Sequence, residues 1–363
     1  MISKNRKNMK YTITIRLKNY SILNRIDTIP YYMSGSKVDT VEFSNSYIKI
    51  VANRNKKYSE NDIFFNVQNS LYNQMYKCLL FHYAMNGSNS QIEKIAIDVY
   101  SALICEGHYE RDFNAENQPF PLYSPTIGFN EQSLKLLLDE SDDSFQLRMI
   151  MAHWMSAAQN NDRLGKLECL WRTFERLCAY HRHHPIGERP NVADGLKQMI
   201  SELTTHPHAY LDSAAYVHSY TDAYLRGFLW HDMIENNYSK SAGVEKYRDY
   251  VNYLVKVFED KRIMTLMMDV RHYRKSKLNS YSLYIPMKAY CLGKLSLGLQ
   301  KDIDVVALLC CHYAYYLRNR LIHGQSLVRC SIFNQNVDTM RLNDVSHLLE
   351  LLTVELINNI HNL

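Results

Sequence analysis

Nowhere in the 363 residues do about 18 apolar residues run uninterrupted by charge. The basic start, MISKNRKNMKYTITIRLK, also lacks the apolar stretch of a secretory leader. A membrane span and an export signal are therefore not expected, and a cytoplasmic location is. Paired CxxC spacing is missing too. The eight cysteines lie mostly inside apolar helical patterns, as at Cys169, Cys178, Cys310 and Cys311, which predicts reduced core thiols rather than a disulfide framework. GxxxxGK[ST], GxGxxG and HExxH are absent, as is any repeat of fixed period. Nucleotide P-loops, dinucleotide folds, zincin proteases and solenoids lose their usual signatures.

What is present is the composition of a globular protein, 46% hydrophobic and 22% charged, at a length that favours two domains. A net charge of +5 fits a polyanionic partner, but the excess is spread along the chain, so nucleic acid is permitted rather than indicated. The 28 tyrosines fit the compositional drift of an AT-rich genome as readily as a supply of rings for base stacking.

From Tyr11 to about Val51 the chain alternates at period two in YTITIRL, TVEFS and SYIKIVA, between turn-rich breaks such as MSGSK. NSLYNQMYKCLLFHYAMNG has helical spacing and a stop signal at Gly87, whereas IEKIAIDVYSALI fits a strand or a helix. Pro119, Pro121 and Pro125 punctuate a loop, and the acidic LDESDDS at 138–144 is the expected linker. Beyond it, apolar residues recur at three- and four-residue spacing to the C-terminus. The expected class is α+β, with an N-terminal α+β domain over 1–143, of sensor or regulatory type, and an all-helical domain over 144–363.

VVALLCCHYAYYLRNRLIHG carries an apolar stripe through Val305, Leu308, Leu309, His312 or Tyr313, Tyr316 and Leu317, with Gly324 in the position of a helix stop. Arg318, Arg320 and His323 thus fall at a helix C-terminus. One reading is that they are cations complementing the negative end of the helix dipole. The other is a site.

The stretch resembles the R-x(4–6)-H signature of the HEPN superfamily, through Arg318, Asn319 and His323. The bare pattern also fits Arg148–His153, Arg176–His181, Arg226–His231 and Arg341–His347. Among these five pairs only Arg318 is followed by Asn and only His323 by Gly. DRLGKLECLWRTFERL at 162–177 is similar to the long first helix of the ApeA-like branch, with Trp171 and Phe174 on its inner face and Glu175 beside them. The resemblance covers 145–363 with an insertion between the two signature helices. The N-terminal region resembles no family.

The resemblance implies an all-α HEPN-type bundle acting as a metal-independent endoribonuclease that needs no cofactor. His323 would handle the proton, Arg318 would bind and neutralise the phosphorane, and Asn319 would orient either. Products would be a 2′,3′-cyclic phosphate and a 5′-OH. It further implies a toxin or antiviral defence effector held in check until an inhibitory or activating partner is exchanged. Residues five apart on an ideal helix are about 7.5 Å apart along the axis and roughly 140° around it, so one motif converges poorly. HEPN nucleases pair two motifs in one cleft, so a homodimer is implied.

Two other classes compete. In one, the bundle is a non-catalytic dimerisation or RNA- or nucleotide-binding module. In the other, Cys178, His181, His183 and His184 of CAYHRHH, with HPH at 206–208, hold a metal, although Pro185 ends that helix and leaves the cluster exposed. The basic runs RNKK at 54–57 and RHYRKSK at 271–277, the latter with Tyr273 interleaved, fit phosphate tracks or solvated faces.

Overall fold

The computed structural model describes residues 8–19, 21–32, 35–87, 91–114, 116–118, 127–181, 192–228, 233, 253–273, 281–322 and 337–362. The fold is α+β. The described residues form two compact units, one reaching Asn161 and including the C-terminal residues from Ile357, the other drawn from Asp162 to Leu356.

The first unit is built on an antiparallel sheet of β1 (Met9–Leu17), β2 (Arg25–Pro30), β3 (Val38–Phe43), β4 (Tyr47–Arg54), β5 (Ile92–Ser101) and β6 (Ile104–Asp112), ordered β2-β3-β4-β1-β5-β6. Alternation sets which face is core. Tyr11, Ile13 and Ile15 of β1 are buried while Thr12 and Thr14 are partly open, and Ile13 pairs with Ile50 on one side and Ile97 on the other. The ambiguous IEKIAIDVYS is thus a strand, with Ile95, Ile97 and Val99 buried. Two strands that the alternation does not announce, β2 and β6, occupy the edges.

The short α1 (Glu60–Phe64) leads into α2 (Ser70–Asn86), the predicted helix, which is capped by Asn69 and ended by Gly87 at φ +57°. Phe81 of α2 packs on Phe43 of β3 at 5.5 Å between ring centroids. An ion pair lies in the same core. The Arg54 guanidinium donates to both Asp39 oxygens at 2.7 and 2.6 Å and to the Ser70 hydroxyl at 2.8 Å, and it stacks 3.6 Å from the centre of the Tyr31 ring. Its burial removes Arg54 from the basic run 54–57 as a phosphate contact. Of that run, Lys57 donates to the Glu106 carbonyl and Lys56 lies over Tyr58.

The acidic stretch expected to be a linker forms helix ends instead. A 3₁₀ turn over Lys135–Leu138 follows the short α3 (Glu131–Leu134), and Ser141 caps α4 (Asp142–Gln159), whose first turn holds Asp142 and Asp143. Acids in a first turn complement the helix dipole, so the same composition that suits a linker suits an N-terminus. The proline loop falls outside the described residues.

The regular elements described in the second unit are all helical, among them α5 (Arg163–His181), α6 (Val192–Thr205), α7 (Leu211–His218), α8 (Asp222–Arg226), α9 (Lys261–Tyr273), α10 (Tyr281–Ser296), α11 (Asp302–Ala307), α12 (Ala314–Ile322) and α13 (Val337–Asn358). Glu355 of α13 accepts from the Asp212 and Ser213 backbone N–H groups, which closes the N-terminus of α7. Between α11 and α12 the helix continues through a π segment, Leu308–Tyr313, in which the Ala314 N–H reaches back to the Leu309 carbonyl. Tyr313 and Tyr316 are buried, and the His312 ring packs edge-on against Phe258 at 6.2 Å between ring centroids. Among the described residues no helix is long and apolar enough to cross a membrane, and the seven described cysteines are free.

Candidate functional site

Arg318 and Asn319 lie on α12, and His323 and Gly324 fall outside the described residues. The Arg318 Nη1 donates to the Asn319 Oδ1 at 3.1 Å, so the two side chains act as one polar group. Opposite them runs α5. Its residues Glu168, Trp171 and Glu175, spaced by three and four, share one face. Tyr315 of α12 packs on Trp171 at 5.6 Å, and Trp171 on Phe174 at 5.7 Å. This aromatic contact fixes the register of the two helices and brings Arg318 beside the acids.

The Arg318 Nε is 3.7 Å from Glu168 Oε2, within ion-pair range but too long for a hydrogen bond. The Nε is buried without a hydrogen-bond partner. Glu168 instead accepts from the Arg172 Nε at 3.1 Å. Burial pushes the Glu175 carboxyl above the usual carboxylate range, Arg318 opposes this, and the charge of Glu168 adds to it. A guanidinium has five N–H donors in a planar fork. One of these hydrogen-bonds Asn319, so Arg318 retains capacity to grip an oxyanion, with the side chain 27% exposed to admit one. Trp171, Phe174 and Glu175 are legible in the α5 sequence, but Glu168 and Tyr315 are not, although Glu168 shares the face of Glu175 one heptad earlier.

The other sequence matches lie elsewhere. Arg148 of α4 donates to the Leu137 and Asp139 carbonyls, holding a turn. Arg176 and His181 occupy the last turns of α5, Arg226 ends α8, and Arg341 and His347 lie within α13, with Arg341 3.6 Å from the centre of the Tyr224 ring. His231 falls outside the described residues.

Of CAYHRHH, Cys178 is buried and burial pushes its thiol well up, while His183 and His184 lie outside the described residues. His181 lines an open cleft of about 350 Å³ together with Glu202 and His206, whose Nδ1 is 3.0 Å from Glu202 Oε1. Among the described residues no three His, Cys, Asp or Glu side chains are placed to hold a metal ion. Arg271–Tyr273 end α9, and 274–277 lie outside the described residues.

A second titratable group sits on α13. Glu350 is 4% exposed, and burial pushes its carboxyl up to about 7 even though the Lys166 Nζ is 3.1 Å away. A carboxyl raised in the fold contributes stability below its unfolded value near 4.5, and that contribution is lost as pH rises through about 7. Lys166 is 31% exposed and can turn to water when its partner is removed, so relief of the buried charge outweighs the lost pair. Glu350→Gln is therefore expected to stabilise the chain by about 2 kcal/mol at pH 8 and by little at pH 4. Urea unfolding at the two pH values measures this, and equal effects at both would contradict it.

No model of a protein family matches the chain, and no curated protein and no solved structure matches it.

Proposed function

We propose that the helical unit is a HEPN-type, metal-independent endoribonuclease. The observation that carries this reading is the Arg318–Asn319 pair, hydrogen-bonded side by side, with the Arg318 side chain 27% exposed. The 2′-oxygen attacks phosphorus as His323 takes its proton, and the bond to the 5′-oxygen breaks as an imidazolium, that of His323 or of its two-fold-related copy, gives that oxygen a proton. Arg318 neutralises the extra negative charge of the phosphorane through its fork. A 2′,3′-cyclic phosphate and a 5′-OH result, with no water consumed and no step that needs a metal or cofactor. An imidazole titrating near neutrality suits the proton transfer.

The purified chain, incubated with total RNA, is expected to fragment it and to leave single-stranded DNA intact, because DNA lacks the attacking hydroxyl. Cleavage of both or of neither would overturn the proposal. A toxin or antiviral effector role, restrained by a partner whose loss frees the activity, is the biological setting we propose for it. The proximity of Glu168 favours a second reading, in which Arg318 is an internally neutralised cation and the bundle only binds RNA or dimerises.

A single motif leaves one side of a phosphorane unattended, so the site is proposed to form between two copies related by a two-fold axis. When His323→Ala chains are mixed with wild type, specific activity is expected to fall faster than the wild-type fraction as subunits exchange. A linear fall with exchange demonstrated would mean that each chain carries a complete site.

A further inference from the structure

The sheet unit contains a pocket of about 320 Å³, lined by Tyr72, Met75, Tyr76 and Leu79 of α2 and by Ile95 and Arg111 of β5 and β6. Ile95 and Arg111 face each other across the β5–β6 ladder. On the edge strand β6, alternation turns His108, Glu110 and Asp112 outward and leaves Tyr109 and Arg111 half-buried on the other face. The acids nearest Arg111 in sequence are thus directed away from it. Glu110 is engaged by Lys94 and His108.

The Arg111 side chain makes no hydrogen bond and no ion pair with the described residues. Its guanidinium carbon is instead 4.9 Å from the ring centre of Phe65, 5.7 Å from that of Phe113 and 5.9 Å from that of Phe64. Phenyl faces attract the cation and shield it from water, but they satisfy none of its in-plane N–H donors. Every other partly buried arginine with a described partner in this unit, Arg25, Arg54 and Arg148, holds a carboxylate within 4 Å. The Tyr72 and Tyr76 hydroxyls likewise have no hydrogen-bond partner among the described residues. Burial pushes the Tyr76 phenol up, so that hydroxyl stays protonated and able to donate. The lining thus combines one positive charge, unpaired hydroxyl donors and no carboxylate with apolar and aromatic walls.

We propose that this pocket binds a small aromatic anion, its carboxylate or phosphate gripped by Arg111 with help from the tyrosine hydroxyls and its ring seated among Met75, Leu79 and Ile95. A guanidinium beside an anion in a water-poor wall makes a charge-assisted bond of roughly twice the neutral strength, and flanking rings suit a planar ligand. The volume is near the lower end of the roughly 300–1,000 Å³ typical of small-molecule sites, which limits the ligand to one or two rings. The inference concerns the sheet unit alone and does not depend on the nuclease reading.

The test is calorimetric titration of the full-length chain with indole-3-acetate, phenyl phosphate and the neutral indole-3-acetamide. At least one anion is expected to bind with one site per chain, and the amide about tenfold more weakly or not at all. Preference for the acetate or for the phosphate identifies which anion the site takes. Arg111→Gln is expected to erase the preference for the anion without lowering the unfolding temperature by more than a few degrees, and Tyr76→Phe to weaken the anion several-fold. Should Arg111→Gln fail to fold, Tyr76→Phe decides. Failure of both anions to bind, equal binding of acid and amide, or unchanged anion binding in the folded variants would overturn the proposal.

Discussion

Arg318→Ala is expected to lower RNA cleavage by at least about 10²- to 10³-fold, the effect of deleting one donor aimed at a developing oxyanion. Its unfolding free energy should stay within about 1 kcal/mol of wild type, because the ion pair with Glu168 is partly exposed and alanine favours a helix. His323→Ala should behave alike, since the proton transfer and the charge neutralisation belong to one transition state. His181→Ala should cut normally, which separates the motif on α12 from the histidine cluster at the end of α5. Initial cleavage rates on one RNA, with unfolding curves for each variant, give both quantities. Wild-type cleavage by Arg318→Ala would favour the internally neutralised cation, and loss in His181→Ala with activity in His323→Ala would put the site at the wrong helix end.

The largest effect on stability is expected at Asp39. Its carboxylate is fully buried and meets the 5% exposed Arg54 through two hydrogen bonds, with the Gln74 Nε2 donating at 2.9 Å. Asp39→Ala leaves that guanidinium charged, dehydrated and without its counter-ion, a change worth about 3–5 kcal/mol. That is a large part of the total for a domain of ordinary stability. Asp27→Ala, which breaks a more open pair with Arg25, should cost about 1 kcal/mol or less. Chemical denaturation of both variants makes the comparison. An Asp39→Ala chain as stable as Asp27→Ala would mean that Arg54 finds water on losing its partner, and that the pair does not anchor the sheet.

Much of the architecture is legible in the sequence because one physical signal dominates each element. β1, β3 and β4 alternate because one face of the sheet is core, and the helical region follows the three- and four-residue spacing of helices buried on one side. The edge strands are not legible. RIDTIP and ICEGHYERD carry charges and exposed apolar residues such as Ile26 and Ile104, as strands paired on one side only can. LDESDDS misleads because helix capping and linker solvation select the same residues, and Arg54 misleads because a buried arginine has no mark in sequence until its carboxylate, fifteen residues away, is placed beside it. The π segment is hidden as well. Its residues keep the three- and four-residue apolar spacing of an ordinary helix, so nothing in the sequence marks it.

For the site, Arg318 and Asn319 are legible as a pair following an apolar helix, and Trp171 as the inward residue of α5. The contacts that give them chemical meaning are not. Glu168 reaches Arg318 across a helix–helix boundary, where no periodicity links the two positions, and the unpartnered Arg111 becomes visible only once strand alternation has turned its acidic neighbours outward.

The most direct test of the account is the chemistry of the RNA ends left by the purified full-length chain in the presence of a metal chelator. Attack by the neighbouring 2′-oxygen, with Arg318 and His323 supplying charge and proton transfer, predicts undiminished cleavage and fragments carrying 2′,3′-cyclic phosphate and 5′-OH ends. Fragments with 3′-OH and 5′-phosphate ends, or cleavage that the chelator abolishes, would contradict it.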